Sequence, residues 1–280
     1  MIVWFDGSLR PSSSGLVDAL DHGLTVGDGV FETCEIRNGQ VFALTRHIRR
    51  LERSAAGLGV RAPDEDQVRG AAEAVRAEWV AREGRDRLGR LRITWTDGPG
   101  PLGSERLDTP GTLIVAAGPT REPGPVRVRV VPWTRNERSA VAGLKTTSYA
   151  ENARALAYAA EHGDGEAIFA NTRGELCEGT GTNVFIESDG VLYTPPLDSG
   201  CLAGITRELV LEWAADFGIE VRERTMPLAA LAEADHAALT SSTRGVVPIV
   251  AVDGKEIEPG PLTLKLAPAF TARSVEQVDP

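Results

Sequence analysis

Lys145 lies in the segment VAGLKTTSYAENA, after an apolar run and before an Ala-rich stretch with helical spacing. Its neighbours Gly143 and Leu144 are small or apolar, and such surroundings desolvate an amine, lower its pKa and make it a better nucleophile. A lysine at a strand end also commonly keeps its ammonium in water while its methylenes lie along the surface. Taken alone, the segment leaves both interpretations open.

A carboxylate and a side-chain amide follow in CEGTGTNVF, residues 177–185. Glu178 ends one predicted short strand, and Asn183 opens the next. A carboxylate that faces a pocket is suited to keep a pyridine-type ring nitrogen protonated, which makes the ring an electron sink. A solvated glutamate in a turn fits the same pattern.

Two segments offer donors for a phosphate group. In LAGITRELVLEW, residues 202–213, Gly204 precedes Ile205 and Thr206 at a predicted helix start, where backbone amides and the helix dipole favour an anion. TSSTRG, residues 240–245, places hydroxyls, among them that of Ser242, at a predicted strand end. An ordinary helix start and a plain Ser/Thr loop are the alternatives.

A third anion-binding candidate lies near the N-terminus, in HIRRLERSAAGLG, residues 47–59. His47, Arg50 and Ser54 share one stripe of the predicted helix. The planar guanidinium of Arg50 suits two-point binding of a phosphate, although an arginine on a solvated helix face is a common alternative.

The formal net charge of -10 excludes nucleic acid and anionic membrane as general partners, because the chain repels both. The three cysteines, Cys34, Cys177 and Cys201, match no zinc-binding spacing and are predicted to be free thiols. We see neither a signal peptide nor a run of roughly 18 apolar residues. These features predict a soluble, cytoplasmic protein without a metal site.

Strands and helices alternate along the chain, and hairpin signals such as Asn38–Gly39 and Asp189–Gly190 recur. Hairpins are too frequent for a doubly wound parallel sheet, so the fold class is predicted to be α+β with mixed or barrel-like sheets. Helices are predicted from Thr45 to about residue 58 and over 64–83, 149–162, 205–217 and 261–270, and strands over 2–7, 29–44, 90–96, 112–117, 126–131, 165–170, 175–178 and 182–187, with four more in VLYT, IEVRERT, HAALTSS and VVPIVAV.

The Pro- and Gly-rich segment GPTREPGP, residues 118–125, is predicted to be a linker. It would separate a smaller N-terminal domain, residues 1–117, from a larger C-terminal domain, residues 126–280.

The order of six motifs is more specific than any one of them. GDGVFET, H-I-x-R-L-x-x-S, A-G-L-K, E-G-x-x-x-N-V-F, L-x-G-I-T-R and T-S-S-T follow one another between Asp6 and Gly254. This order resembles that of the fold type IV pyridoxal-phosphate (PLP) enzymes, the class IV aminotransferase family. The resemblance implies a small N-terminal α/β domain, a larger C-terminal domain with a barrel-like sheet, PLP between them, a small-molecule substrate and a homodimer.

The resemblance also assigns roles to residues. Lys145 would bind PLP through a Schiff base and transfer the proton, and Glu178 would pair with the pyridine nitrogen. Phe31 stands where D-amino-acid aminotransferases have a tyrosine for the substrate carboxylate, but it cannot donate a hydrogen bond. The residues expected at the cofactor phosphate are Arg50, Ile205, Thr206 and Ser242.

Within the family, GDGVFET, RNERSAVAGLK and VLYTPPLDSGCLAGITR resemble 4-amino-4-deoxychorismate lyases. The expected reaction is elimination of pyruvate to give 4-aminobenzoate for folate biosynthesis. The alternative is a class IV aminotransferase that uses a branched-chain or other amino donor, since both activities share the cofactor chemistry.

One position departs from the family pattern. Asp97 stands where many D-amino-acid aminotransferases and some lyases have an arginine, and an aspartate would repel a substrate carboxylate. Another cation would have to bind that carboxylate, although an arginine on the surface is the alternative for each candidate. The candidates are Arg106, Arg135, Arg138 and Arg244.

Overall fold

The computed structural model describes residues 1–14 and 17–280. The chain divides into two compact units, and the change between them after Glu122 falls inside the segment predicted as a linker. Residues 144–149 and 275–280, which the sequence-based division put in the second domain, belong to the first unit. The first unit comprises Met1–Glu122, Leu144–Tyr149 and Val275–Pro280, and the second comprises Pro123–Gly143 and Ala150–Ser274.

The first unit contains an antiparallel six-stranded sheet with the strand order β2-β1-β6-β5-β3-β4. Its elements are β1 (Ile2–Phe5), β2 (Ser8–Arg10), α1 (His22–Thr25), β3 (Gly29–Arg37), β4 (Gln40–Val41), α2 (Leu44–Leu58), α3 (Glu65–Glu83), β5 (Gly89–Thr96) and β6 (Thr112–Pro119). The core includes the predicted stripe of α2, because Ile48, Leu51 and Ala55 are buried and Leu58 packs against them.

Turns with positive φ at two successive residues produce the hairpins of this unit. Asn38 and Gly39 have φ angles of 51° and 69°, which is the turn predicted from the sequence. Asp6 and Gly7 have the same geometry, with φ angles of 48° and 80°. The prediction of a strand over 2–7 was therefore wrong at its end: β1 stops at Phe5, and the turn leads into β2.

The second unit contains a nine-stranded mixed sheet with the main order β12-β11-β10-β13-β14-β7-β8-β9, and β15 pairs with β14. Its elements are β7 (Val126–Arg135), α4 (Ala150–Glu161), β8 (Glu166–Asn171), β9 (Leu176–Gly179), β10 (Asn183–Ser188), β11 (Val191–Thr194), α5 (Ile205–Trp213), β12 (Glu220–Glu223), α6 (Ala229–Glu233), β13 (His236–Ser241), β14 (Gly245–Val252), β15 (Lys255–Glu256) and α7 (Pro261–Glu276), of which the last two residues belong to the first unit.

The second sheet must curl. In the strand order, β9 lies five strand spacings from β10, which would be about 24 Å in a flat sheet. Only residues 180–182 join the two strands, and the chain from Gly179 to Asn183 reaches at most about 14 Å. The sheet therefore bends back on itself, and the predicted mixed α/β fold with a barrel-like sheet is confirmed.

All three cysteines are buried free thiols, as predicted. Burial raises the pKa of Cys201 to about 11, so this thiol stays protonated at neutral pH. Among the described residues, the helices are all too short or too polar to cross a membrane.

Candidate active site

The segment that contains Lys145 pairs with the first half of β3. The backbone N–H of Phe31 donates to the carbonyl of Lys145 (2.9 Å), and the N–H of Thr147 donates to the carbonyl of Gly29 (2.8 Å). Val30 and Thr146 form an isolated bridge between these two bonds. The pairing fixes the height of Lys145 along β3 and places it beside Phe31.

The side chain of Lys145 lies against two aromatic rings. Its Nζ is 4.5 Å from the ring centroid of Phe31 and 5.8 Å from that of Tyr149. The two rings meet edge to face with centroids 4.9 Å apart. The guanidinium carbon of Arg92 lies 3.7 Å from the centroid of Phe31. We call Phe31, Arg92, Lys145 and Tyr149 the lysine cluster.

Helix α2 supports the backbone of this cluster. The hydroxyl of Ser54 accepts a hydrogen bond from the N–H of Lys145 (3.2 Å). A Cβ atom at Gly57 would lie 2.6 Å from a methyl carbon of Leu144, so a larger residue there would require the Leu144 side chain to shift. Ser54 thus contacts the backbone of Lys145, which helical spacing alone did not predict.

Glu32, His47 and Arg50 form a buried triad beneath the cluster, with exposures of 0%, 0% and 5%. Arg50 donates to both oxygens of Glu32 through Nε and Nη2, each at 2.7 Å. His47 Nδ1 lies 2.6 Å from Glu32 Oε2. Arg50, which was predicted to bind a phosphate, is therefore held in a fixed orientation by Glu32.

The triad has defined protonation states. Burial would raise the pKa of Glu32, but the charges and hydrogen bonds of Arg50 and His47 outweigh it and hold the pKa well below the ordinary value. Burial lowers the pKa of His47 despite the attraction of Glu32. A neutral His47 must donate from Nδ1 to the ionised Glu32, so its Nε2 carries a lone pair. This Nε2 is buried without a hydrogen-bond partner among the described residues.

We expect the stability of the first unit to fall between pH 7.5 and pH 5 because of His47. The unfolded imidazole takes up a proton below about pH 6.5, whereas the folded one, whose pKa is lowered by burial, takes it up only at a lower pH. The contribution of His47 to the free energy of unfolding is thus fully present above about pH 6.5. It decreases as the pH falls, by up to about 2 kcal/mol at pH 5. Urea unfolding at both pH values measures the loss. His47→Gln, which keeps a donor for Glu32, should remove this part of it; an equal loss in the variant would contradict the assignment.

In the second unit, Glu178 is anchored at the end of β9. The backbone N–H of Leu202 donates to its Oε2 (2.9 Å), and Arg135 Nε lies 3.5 Å from its Oε1. Arg135 also donates to Glu151 (2.8 Å) and Asn152 (2.9 Å). Glu178 is therefore a half-buried carboxylate with a fixed orientation, as suits a partner for a ring nitrogen.

The start of α5 has no side-chain cap at its N-cap residue. Gly204 precedes the helix and has no side chain to cap it, and Ile205 and Thr206 follow in the first turn. A Cβ atom at Gly204 would lie 1.9 Å from Asn183 Oδ1, so a larger residue would displace the Asn183 side chain. Asn183 donates to the carbonyl of Leu202 (2.9 Å) and thus supports this loop.

Ser242 lies half-buried in the turn between β13 and β14. Each unit, taken by itself, contains groups whose chemistry suits PLP. The first unit offers the amine of Lys145 and the cation of Arg50. The second offers the carboxylate of Glu178, the amides at the start of α5 and the hydroxyl of Ser242.

All four arginines considered for a substrate carboxylate have carboxylate partners or lie in solvent. Arg106 binds both oxygens of Asp28 (2.6 and 2.7 Å), and Arg244 pairs with Glu166 (3.1 Å). The side chain of Arg138 is 84% exposed. Arg135, the fourth, lies between Glu151 and Glu178.

Asp97, the departure from the family pattern, lies near Asp28. Burial, and then the charge of Asp28, raise the pKa of Asp97, although Arg106 opposes this. A second carboxylate so close makes this position still less suited to a substrate carboxylate.

Sequence reasoning missed Arg92. The register of β3 against β5 pairs Phe31 with Thr94 and Thr33 with Arg92, so Arg92 lies diagonally opposite Phe31 on the same face. Within residues 1–14 and 17–280, no carboxylate forms an ion pair with Arg92; its Nε donates to the hydroxyl of Thr94 (3.2 Å). The alternation RLRIT in β5 is a signal in the sequence that Arg92 faces away from the core, but only the strand pairing shows its neighbour.

The chain is similar to known proteins over nearly its whole length. It is 30% identical to a branched-chain-amino-acid aminotransferase of Pseudomonas aeruginosa, covering 96% of this chain and 91% of that protein. A bifunctional aminodeoxychorismate lyase / D-amino acid transaminase of Mycobacterium tuberculosis is 29% identical, with 94% of each chain covered.

Among solved structures, a branched-chain aminotransferase of Thermoproteus uzoniensis with norvaline matches with a TM-score of 0.88 and 32% identity. The match covers all of this chain and 95% of that one. The sequence pattern of the family described as amino-transferase class IV matches residues 29–252. These findings confirm the predicted fold and the predicted PLP-dependent enzyme class: the chain belongs to the class IV aminotransferase family.

Proposed function

We propose that this protein is a PLP-dependent aminotransferase whose amino donor is an amino acid with an apolar side chain. The observation that carries the proposal is the lysine cluster. It joins an amine, two aromatic rings and a guanidinium that has no carboxylate partner among the residues the structure describes. An amine nucleophile beside a cation and apolar surface suits a substrate with a carboxylate and a hydrophobic side chain.

The residues would act as follows. Lys145 Nζ would hold PLP covalently and would take the proton from the substrate α-carbon. Glu178 would keep a proton on the ring nitrogen, and the chemistry that PLP supplies when bound is an electron sink for the breaking C–H bond. The groups that would hold the phosphate are the guanidinium of Arg50, the amides of Ile205 and Thr206 and the hydroxyl of Ser242.

Arg92 is the residue proposed to bind the substrate carboxylate. Its planar guanidinium stacks on Phe31, which leaves the N–H edges directed away from the ring. Phe31 and Tyr149 would then surround the apolar part of the same substrate. The identity to two branched-chain aminotransferases, 30% and 32%, supports a donor of this type.

The function is tested by incubating the PLP-loaded protein with single amino acids and following keto-acid release and the absorption of the cofactor. Valine, leucine and isoleucine should each change the spectrum and yield their keto acids, whereas lysine should not. If no amino acid in a panel of both stereoisomers changes the spectrum, the proposal is wrong.

A second candidate is the predicted 4-amino-4-deoxychorismate lyase. The Mycobacterium tuberculosis relative combines lyase and transaminase activities in one protein, and it covers 94% of this chain. Incubation with aminodeoxychorismate separates the candidates, because the lyase releases pyruvate and 4-aminobenzoate without an amino donor. The link to folate, the homodimer and the cytoplasmic location stay predictions.

Replacing Arg92 by leucine should raise the KM for the amino donor by about 10- to 100-fold, since a hydrogen bond to a charged group contributes about 1.5–3 kcal/mol. The kcat should change only a few-fold, because the lysine remains. Steady-state kinetics with the best donor measure both constants. Arg90→Leu is a matched control: Arg90 points to the same side of β5 but lies opposite Glu35. A fall in kcat at constant KM would exclude Arg92 as the carboxylate ligand.

A further inference from the structure

The last residues of the chain cap helix α2. The backbone N–H of Ala43 donates to the carbonyl of Val278 (2.7 Å), and that of Thr45 donates to Asp279 Oδ1 (2.8 Å). The hydroxyl of Thr45 also donates to Asp279, and Arg46 Nε donates to the main-chain oxygen of Pro280 (2.9 Å). Four contacts thus join residues 278–280 to the start of α2.

The start of α2 lacks a cap of its own. Ala43 precedes the helix with a φ of 54° and has no side-chain acceptor. The first amides of a helix have no partner within it, and an aspartate near them satisfies an amide and interacts favourably with the helix dipole. Asp279 provides this cap, although it lies 234 residues from Thr45 along the chain.

Helix α2 also carries two residues of the buried triad and the residue that contacts the backbone of Lys145. His47 and Arg50 hold Glu32 in the buried triad, and Ser54 accepts from the backbone of Lys145. His47 lies only two residues after Thr45, the residue that Asp279 binds. Fraying of the first turn would therefore loosen the triad first.

We propose that Asp279 is a positioning residue: by capping α2 it fixes Arg50 and the backbone of Lys145 for the cofactor. Asp279 itself touches neither of them, so its effect passes through the helix. This inference rests on the proposed role of Arg50 at the phosphate.

The test compares Asp279→Ala with Asp279→Asn and Glu276→Ala. Asparagine caps a helix about as well as aspartate, and alanine does not. Glu276 is exposed near the end of α7 and serves as the control from the same segment. Two quantities are measured: amide hydrogen exchange of residues 44–51 in the cofactor-free protein, and the Kd for PLP from the absorption of the bound cofactor.

In Asp279→Ala, exchange in residues 44–48 should become about 5-fold faster, as expected for the loss of one cap, and the Kd for PLP should rise by about 3- to 10-fold. Asp279→Asn and Glu276→Ala should stay within 2-fold of the native protein in both. Faster exchange with an unchanged Kd would overturn the positioning role, and unchanged exchange would overturn the cap. Failure of the native protein to bind PLP would instead refute the proposed function, and the exchange data would still test the cap.

Discussion

Replacing Lys145 by alanine is expected to lower transamination by at least about 10³-fold and to abolish covalent retention of PLP. General acid–base catalysis by a positioned side chain alone contributes about 10²–10⁴-fold, and the covalent step through the same amine is lost in addition. The other members of the lysine cluster, Phe31, Tyr149 and Arg92, provide no second primary amine for the covalent step.

The chain contains three lysines, Lys145, Lys255 and Lys265, so the lysine that binds the cofactor can be identified directly. Reduction of the PLP-loaded protein with borohydride fixes the cofactor on its lysine, and peptide mass spectrometry should find it on Lys145. Lys255→Ala is the matched control and should keep full activity. Label on Lys255 or Lys265 instead, or an active Lys145→Ala variant, would disprove the assignment.

Replacing Glu32 by glutamine is expected to destabilise the first unit by about 3–5 kcal/mol, because removal of one partner leaves a buried charge without compensation. Glu32 is fully buried and accepts from Arg50 and His47, so the guanidinium would keep its charge in a site that excludes water. Urea unfolding of the cofactor-free protein measures the loss.

The exposed pair Glu73–Arg76 provides the control, since Glu73→Gln should change the free energy of unfolding by less than about 1 kcal/mol. The double variant Glu32→Leu/Arg50→Met should recover much of the stability but not PLP binding. A single variant Glu32→Gln as stable as the native protein would mean that the triad does not depend on this charge pair.

Local signals in the sequence predicted much of the fold. Asn38–Gly39 gave the correct hairpin, and the apolar stripe of α2 gave its buried face. Asp6–Gly7 carried an equally good turn signal, so the end of β1 was predictable from the same rule. The order of the motifs, rather than any one of them, predicted the family, which is confirmed. The role of Lys145 at the cofactor stays a prediction.

What escaped prediction depends on contacts between distant residues. Arg92 meets Phe31 only through the register of β3 and β5, and alternation along β5 cannot supply that register. Glu32 lies within the GDGVFET motif, but its pairing with Arg50 requires α2 to pack on β3. Asp279 caps α2 from the opposite end of the sequence. Each of these contacts involves a charged side chain of the first unit.

The first unit is assembled from three separate stretches of chain, and this has a consequence for synthesis on the ribosome. Domains commonly fold as they emerge, with the N-terminal part first. Residues 1–122 can form the six-stranded sheet early, but the partner of Phe31 arrives only with residues 144–149, and the cap of α2 only with residues 275–280. Helix α2, which carries Arg50, therefore lacks the cap from Asp279 until the whole second unit has been translated.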